Sequence, residues 1–229
     1  MTFSLLGYEE TTKSVGICSV TSSPAHGQRC PHFLKNVGVV TTQGMSNRFH
    51  GETCLKLLEM GFTPEESLNA TKTRDIHIQC RQIAIIDAHG RKAAFTGEAT
   101  KDVKGHIIGE DFVAAGNILA GEGVLRAMAE GYASASGELA DRLLAGCAAG
   151  EKVGGEKGGA YSAFLIVVRP DQIPAWGAYV DVRIDYSPDV VAALASALTA
   201  YRNWEQLRLQ DRYYTLDGSM PGENLARLN

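Results

Sequence analysis

Thr2 is the residue whose type and position bring this chain nearest to chemistry. Removal of Met1, which a small second side chain favours, would leave a terminal threonine carrying both halves of a nucleophilic pair. One half is the hydroxyl. The other is an α-amine of ordinary pKa about 8, partly neutral near physiological pH and able to accept the hydroxyl proton as attack begins. A plainer reading stands beside it: Met-Thr opens many chains without consequence, and with Met1 in place that amine is locked in a peptide bond. Ala115-Gly116-Asn117 is a second candidate. Glycine permits close backbone approach and an asparagine amide offers N–H donors, so Gly116 and Asn117 suit an oxyanion. Asn117 equally suits the N-cap of a helix starting near Ile118.

The run Gly150-Glu151-Lys152-Val153-Gly154-Gly155-Glu156-Lys157-Gly158-Gly159 lacks the G-x-x-x-x-G-K-[ST] order and precedes a strand, where a phosphate loop precedes a helix. A turn or mobile loop is expected, with Lys157 and Ser162 as site-lining groups. Cys30-x-His32 and His50-x-x-x-Cys54 offer zinc-type ligands, but their intervals match no common zinc module, so no metal is expected. Ser19, Ser22, His26, Gln43, Asn47, Arg81 and Asp185 lie near strand ends, and each could equally be capping or solvated. Among these, Ser19, Gln43 and Asn47 join Lys157 and Ser162 as substrate-binding candidates.

The elements that must position these groups follow from periodicity. Short β-branched or alternating runs predict strands over residues 2–8, 14–21, 37–42, 82–86, 92–95, 106–108, 112–115, 163–168 and 179–184. Asp87-Ala88-His89-Gly90 supplies hairpin-turn chemistry. Leu55, Leu57, Leu58 and Met60 lead helically to Gly61, and Thr63-Pro64-Glu65-Glu66 then reads as a capped helix start. Further helices are predicted over 119–133, 137–149 and 188–204, with a less regular tail from Glu205. Strands and helices come in groups rather than in alternation, which points to antiparallel or mixed sheets covered by helices, not a doubly wound nucleotide-binding fold.

Composition sets the outer limits. The chain has 229 residues, 22 Lys plus Arg against 26 Asp plus Glu, and a net charge of −4 without a block of like charge. That balance argues against nucleic-acid or polybasic membrane partners. The apolar stretches are far shorter than the ~20 residues of a membrane span. No basic segment followed by an apolar one opens the chain, and five scattered cysteines include no C-x-x-C, so a cytoplasmic protein with reduced thiols is expected.

Several segments in order resemble a mostly bacterial family, domain of unknown function 1028, placed in the N-terminal-nucleophile (Ntn) hydrolase superfamily. They are Thr2-Phe3-Ser4, Val15-Gly16-Ile17, Gly38-Val39-Val40-Thr41-Thr42-Gln43-Gly44, Arg81-Gln82-Ile83-Ala84-Ile85-Ile86-Asp87 and Ala94-Phe95-Thr96-Gly97. Gly116-Asn117-Ile118-Leu119-Ala120-Gly121, Gly154-Gly155-Glu156-Lys157-Gly158 and Asp181-Val182-Arg183-Ile184-Asp185 complete the series, over about residues 1–190. The resemblance implies an α+β fold, a four-layer αββα sandwich of two stacked, mainly antiparallel sheets. It makes Thr2 the nucleophile and Gly116 and Asn117 the oxyanion groups. Threonine-type Ntn members often add a lysine and an aspartate on the second and third strands, and this chain has neither there. The expectation is one domain over 1–202 with an extension over 203–229. Its function would be that of an amidohydrolase acting on a small amide or ureide, without cofactor, and a homodimer through the Ala-rich helices or the tail. The rival expectation is a ligand-binding or structural relative that keeps the sandwich without the chemistry.

Overall fold

The computed structural model describes residues 1–171 and 177–211, with side chains to residue 204. Two hairpins start the two sheets. In the first, β1 (Thr2–Glu9) and β2 (Ser14–Thr21) pair antiparallel. β8 (Phe112–Asn117) and β7 (Gly105–Ile108) extend that sheet on one side, and β9 (Ser162–Val168) and β10 (Val180–Ile184) on the other. Its order is β10-β9-β2-β1-β8-β7. The second sheet, β3-β4-β5-β6, uses Pro31–Leu34, Gly38–Gly44, Arg81–Asp87 and Lys92–Thr96. Every pairing is antiparallel.

Alternation along each strand builds the layers. From β1, Phe3 and Leu5 join a core beneath α3 (Gly123–Ser134) and α4 (Leu139–Lys152), while Leu6 and Tyr8 face the second sheet. From β5, Ile83 and Ile85 meet α1 (Arg48–Glu59) and α2 (Pro64–Lys72), while Ala84 and Ile86 enter the space between the sheets. α5 (Val190–Asp211) completes the first helical layer through Val190, Leu194 and Leu198. Three stacked cores thus separate four layers in the order helices, sheet, sheet, helices. This is the αββα sandwich implied by the resemblance. Among the described residues no helix is long and apolar enough to cross a membrane.

Local chemistry accounts for the ends of several elements. Thr63 and Glu66 form the expected reciprocal cap of α2, and Gly61, at φ 94°, turns the chain out of α1. In the β5–β6 turn, Asp87 Oδ1 accepts from the N–H groups of His89 and Arg91.

Three expectations are corrected. Asn117 does not cap a helix beginning at Ile118. Ile118 takes a left-handed φ of 54°, Leu119 forms a bridge with Glu156 and sinks into the core, and α3 begins only at Gly123. A strand over Pro31–Leu34 was not expected; it is an edge strand, and a proline at its first position needs no ladder N–H. The last helix passes residue 204 and reaches Asp211, so the irregular tail does not begin at Glu205. Residues 212–229 lie outside the described part.

Candidate active site

The space between the sheets is apolar along most of its length and polar at one end. There the sheet-facing positions read Thr2 and Ser4 on β1, Ser19 and Thr21 on β2, Gln43 on β4, Gln82 on β5, Asn117 on β8 and Ser162 on β9, all buried. The strand registers bring them level: Ser4 lies opposite Ser19, Thr21 opposite Ser162, Thr2 opposite Asn117 and Gln43 opposite Gln82.

Thr2 is only 7% exposed. Its Oγ1 lies 3.0 Å from Thr21 Oγ1, and both hydroxyls donate to the carbonyl oxygen of Met1. Met1 lines a cleft of about 330 Å³ together with Gly44, Met45, Thr100, Lys101, Asn117 and Ile118. Burial lowers the pKa of the Met1 amine, and Lys101 acts in the same direction, while Glu156 and Cys30 oppose it.

Beneath the cleft runs a continuous polar network. Gln82 Nε2 faces the carbonyl oxygens of Gly105 (2.9 Å) and Gly116 (3.0 Å), which fixes the orientation of its amide. Gln82 Oε1 therefore accepts from Gln43 Nε2 (2.7 Å) and Asn117 Nδ2 (3.0 Å). This turns Gln43 Oε1 toward Ser4, whose hydroxyl donates to it at 2.5 Å. Ser4 Oγ then accepts from Ser19 Oγ at 2.7 Å, and Ser19 lies 3.1 Å from His26 Nε2. His26 Nδ1 is 2.7 Å from Ser162 Oγ. Burial pushes His26 down to about 3, with smaller contributions from Arg29 and the Met1 amine, so the ring is neutral at physiological pH.

The structure thus brings together Thr2, Asn117, Ser19, Gln43 and Ser162. Of these, Asn117 lines the cleft, while Ser19, Gln43 and Ser162 are fully covered and support it from below. Gly116 sits inside the sheet between Phe3 and Gly105, and an added Cβ would come within 2.8 Å of Leu119 Cδ2. Two candidates lie outside the network. Asn47 caps α1 by accepting from the Phe49 N–H at 3.1 Å, and the Lys157 side chain is exposed while its N–H donates to the Ile118 carbonyl. Cys30 and Cys54 lie in different cores, and His50 pairs with Asp75 at 3.0 Å. Among the described residues no group of three or more His, Cys, Asp and Glu could hold a metal ion.

Sequence reasoning passed over four members of the site, Thr21 among them. Ser4 and Gln82 are polar interruptions on the sheet-facing side of otherwise apolar strands, a signal that alternation could have exposed. Glu156 carries no such signal, standing in a loop of glycines beside other charges. Yet it is 2% exposed, and neither carboxylate oxygen has a hydrogen-bond partner. Burial pushes its carboxyl up to about 8; the Met1 amine pulls it down, and Glu151 adds to the rise.

The model of a family of unknown function, DUF1028, matches residues 2–194. Protein SPO2555 from Silicibacter pomeroyi, which matches the same family, is 33% identical, with a TM-score of 0.77 over 93% of this chain and 90% of that one. The Anbu (Gly-1) mutant from Hyphomicrobium sp. strain MC1 aligns at 10% identity and a TM-score of 0.45, over 91% of this chain and 97% of that one. Thiobacillus denitrificans BPH, solved with epoxomicin, aligns at 12% and 0.39, over 75% and 100%. No curated protein matches the sequence.

Proposed function

The chain belongs to the DUF1028 family, and from that premise we propose that it is an amidohydrolase of the N-terminal-nucleophile type acting on a small amide or ureide. One observation carries the proposal: the hydroxyl of Thr21, from the neighbouring strand, donates to the carbonyl oxygen of Met1, the same oxygen to which the buried Thr2 hydroxyl donates, and Met1 lines the cleft.

Once the bond before Thr2 is opened, its α-amine is free to take the hydroxyl proton. Burial, which already lowers the pKa of the Met1 amine at the cleft, favours the neutral form the base needs. Thr2 Oγ1 attacks the substrate carbonyl carbon. The resulting oxyanion is served by Thr21 Oγ1 and by the second N–H of Asn117, whose first N–H is spent on Gln82. The amine returns its proton to the departing nitrogen, and water then cleaves the ester at Thr2. Because β2 and β4 carry no lysine or aspartate, the α-amine is the only base this mechanism uses.

Hydrolysis of a panel of small amides by Met1-free protein tests the proposal. The Met1-free chain should release amine, while Thr2→Ala should lose at least about 10³-fold in rate and protein retaining Met1 should be inactive. Undiminished turnover by Thr2→Ala would overturn it. A second reading, a ligand-binding relative without chemistry, is favoured by the Met1 carbonyl already occupying both hydroxyls. Retention of Met1 in protein from its native host, read by intact mass, would support that reading instead.

A further inference from the structure

Met1 is itself an acyl group in amide linkage, and it bears a free amine. Its carbonyl oxygen accepts from Thr2 and Thr21, and the residue lines the cleft. Its amine lies within electrostatic reach of Glu156, although no hydrogen bond joins them. Glu156 is buried with both oxygens unpartnered, a rare condition for a native carboxyl and a costly one once it ionises. The other charged group acting on it is Glu151, a second acid, which has an unpartnered oxygen of its own. Among the described residues, the cation that acts on Glu156 is the amine of Met1. The loop that carries it is tied to the site: Leu119 and Glu156 form a bridge, and the Lys157 N–H donates to Ile118.

We infer that the cleft accepts amides whose acyl part carries a free amine close to the carbonyl, with Glu156 as the buried acid that pairs with this amine and Thr21 as the hydroxyl that holds the carbonyl oxygen. The inference rests on the Thr2 reading for its chemistry, though not for its binding step. In that chemistry the Thr2 oxygen forms a C–O bond to the acyl carbon as the amide C–N bond breaks. The hydroxyl proton passes through the Thr2 amine to the leaving nitrogen, and water later releases a free amino acid. Met1 in this structure occupies the place such an acyl group would take, so its departure opens the subsite and unmasks the nucleophile together.

Calorimetry on Met1-free Thr2→Ala protein, which binds without turnover, compares methioninamide with N-acetylmethioninamide at pH 7. Arrival of the ammonium group draws the proton off Glu156, and the charge-assisted hydrogen bond so formed should favour the free amine by about tenfold or more. Glu156→Gln, close in size and uncharged, should bring the two ligands near parity while its thermal unfolding shows an intact fold. Equal binding of both ligands, binding of neither, or an undiminished preference in Glu156→Gln would overturn the inference. The two readings fail separately. A Thr2 that forms covalent adducts in a protein indifferent to the amine removes the subsite alone, and an amine preference in a protein whose Thr2 never reacts removes the nucleophile alone.

Discussion

Glu156 and His26 are both buried, and burial moves them in opposite directions. Glu156 keeps its proton up to about pH 8 in the folded chain, against 4.5 when unfolded. The native state therefore binds more protons between those values, and stability falls as pH rises through them. His26 is neutral down to about pH 3 when folded, against 6.5 unfolded, so it costs stability as pH falls below 6.5. Between 6.5 and 8 only Glu156 of this pair contributes a slope. The melting temperature should therefore fall across that window, and Glu156→Gln should flatten the profile; an unchanged slope would show that the carboxyl is not held neutral. Ser4 makes a different contribution, because Ser4→Ala leaves Gln43 Oε1 buried without its donor. That should cost about 1–3 kcal/mol in urea unfolding, and a loss below about 0.5 kcal/mol would mean that the network re-pairs without it.

At the scale of elements, the site depends on how closely α4 approaches the first sheet. Gly146 makes that approach possible: an added Cβ would lie 2.4 Å from Leu5 Cδ2 and 2.9 Å from the Met128 carbonyl oxygen on α3. Gly146→Ala should therefore destabilise the fold by about 1–3 kcal/mol through overpacking, despite the better helix propensity of alanine; an equal or higher melting temperature would contradict that packing. Periodicity made β1, β2, β5 and β9 legible, since runs such as Ser162–Val168 admit few other readings. It misplaced the start of α3 because Ile118 and Leu119 are good core residues. Their role here depends on a left-handed turn and a bridge to Glu156, and both are long-range facts. Asn47 and Lys157 were singled out for type and neighbourhood alone; a cap and an exposed loop position look the same in a sequence as a site.

At the scale of the molecule, grouped strands and helices were enough for layered sheets, but not for the order β10-β9-β2-β1-β8-β7, which places the first strand near the centre of its sheet. Only that order sets Asn117 across from Thr2, and Ser162, 160 positions after Thr2 in the chain, level with Thr21. The family resemblance carried the αββα arrangement where periodicity stopped. α5 closes the first helical layer through Arg202, which donates to Asp141 at 2.6 Å and to Glu138 at 3.0 Å at the start of α4. The polar end of the sandwich is thus assembled from strands of both sheets and set beside one cleft. The most direct test of the account is to treat Met1-free protein with an amide-directed electrophile and locate the adduct by peptide mass mapping. The account predicts a single adduct on Thr2, absent from Thr2→Ala and from protein that retains Met1; labelling that persists in Thr2→Ala, or falls on another residue, would contradict it.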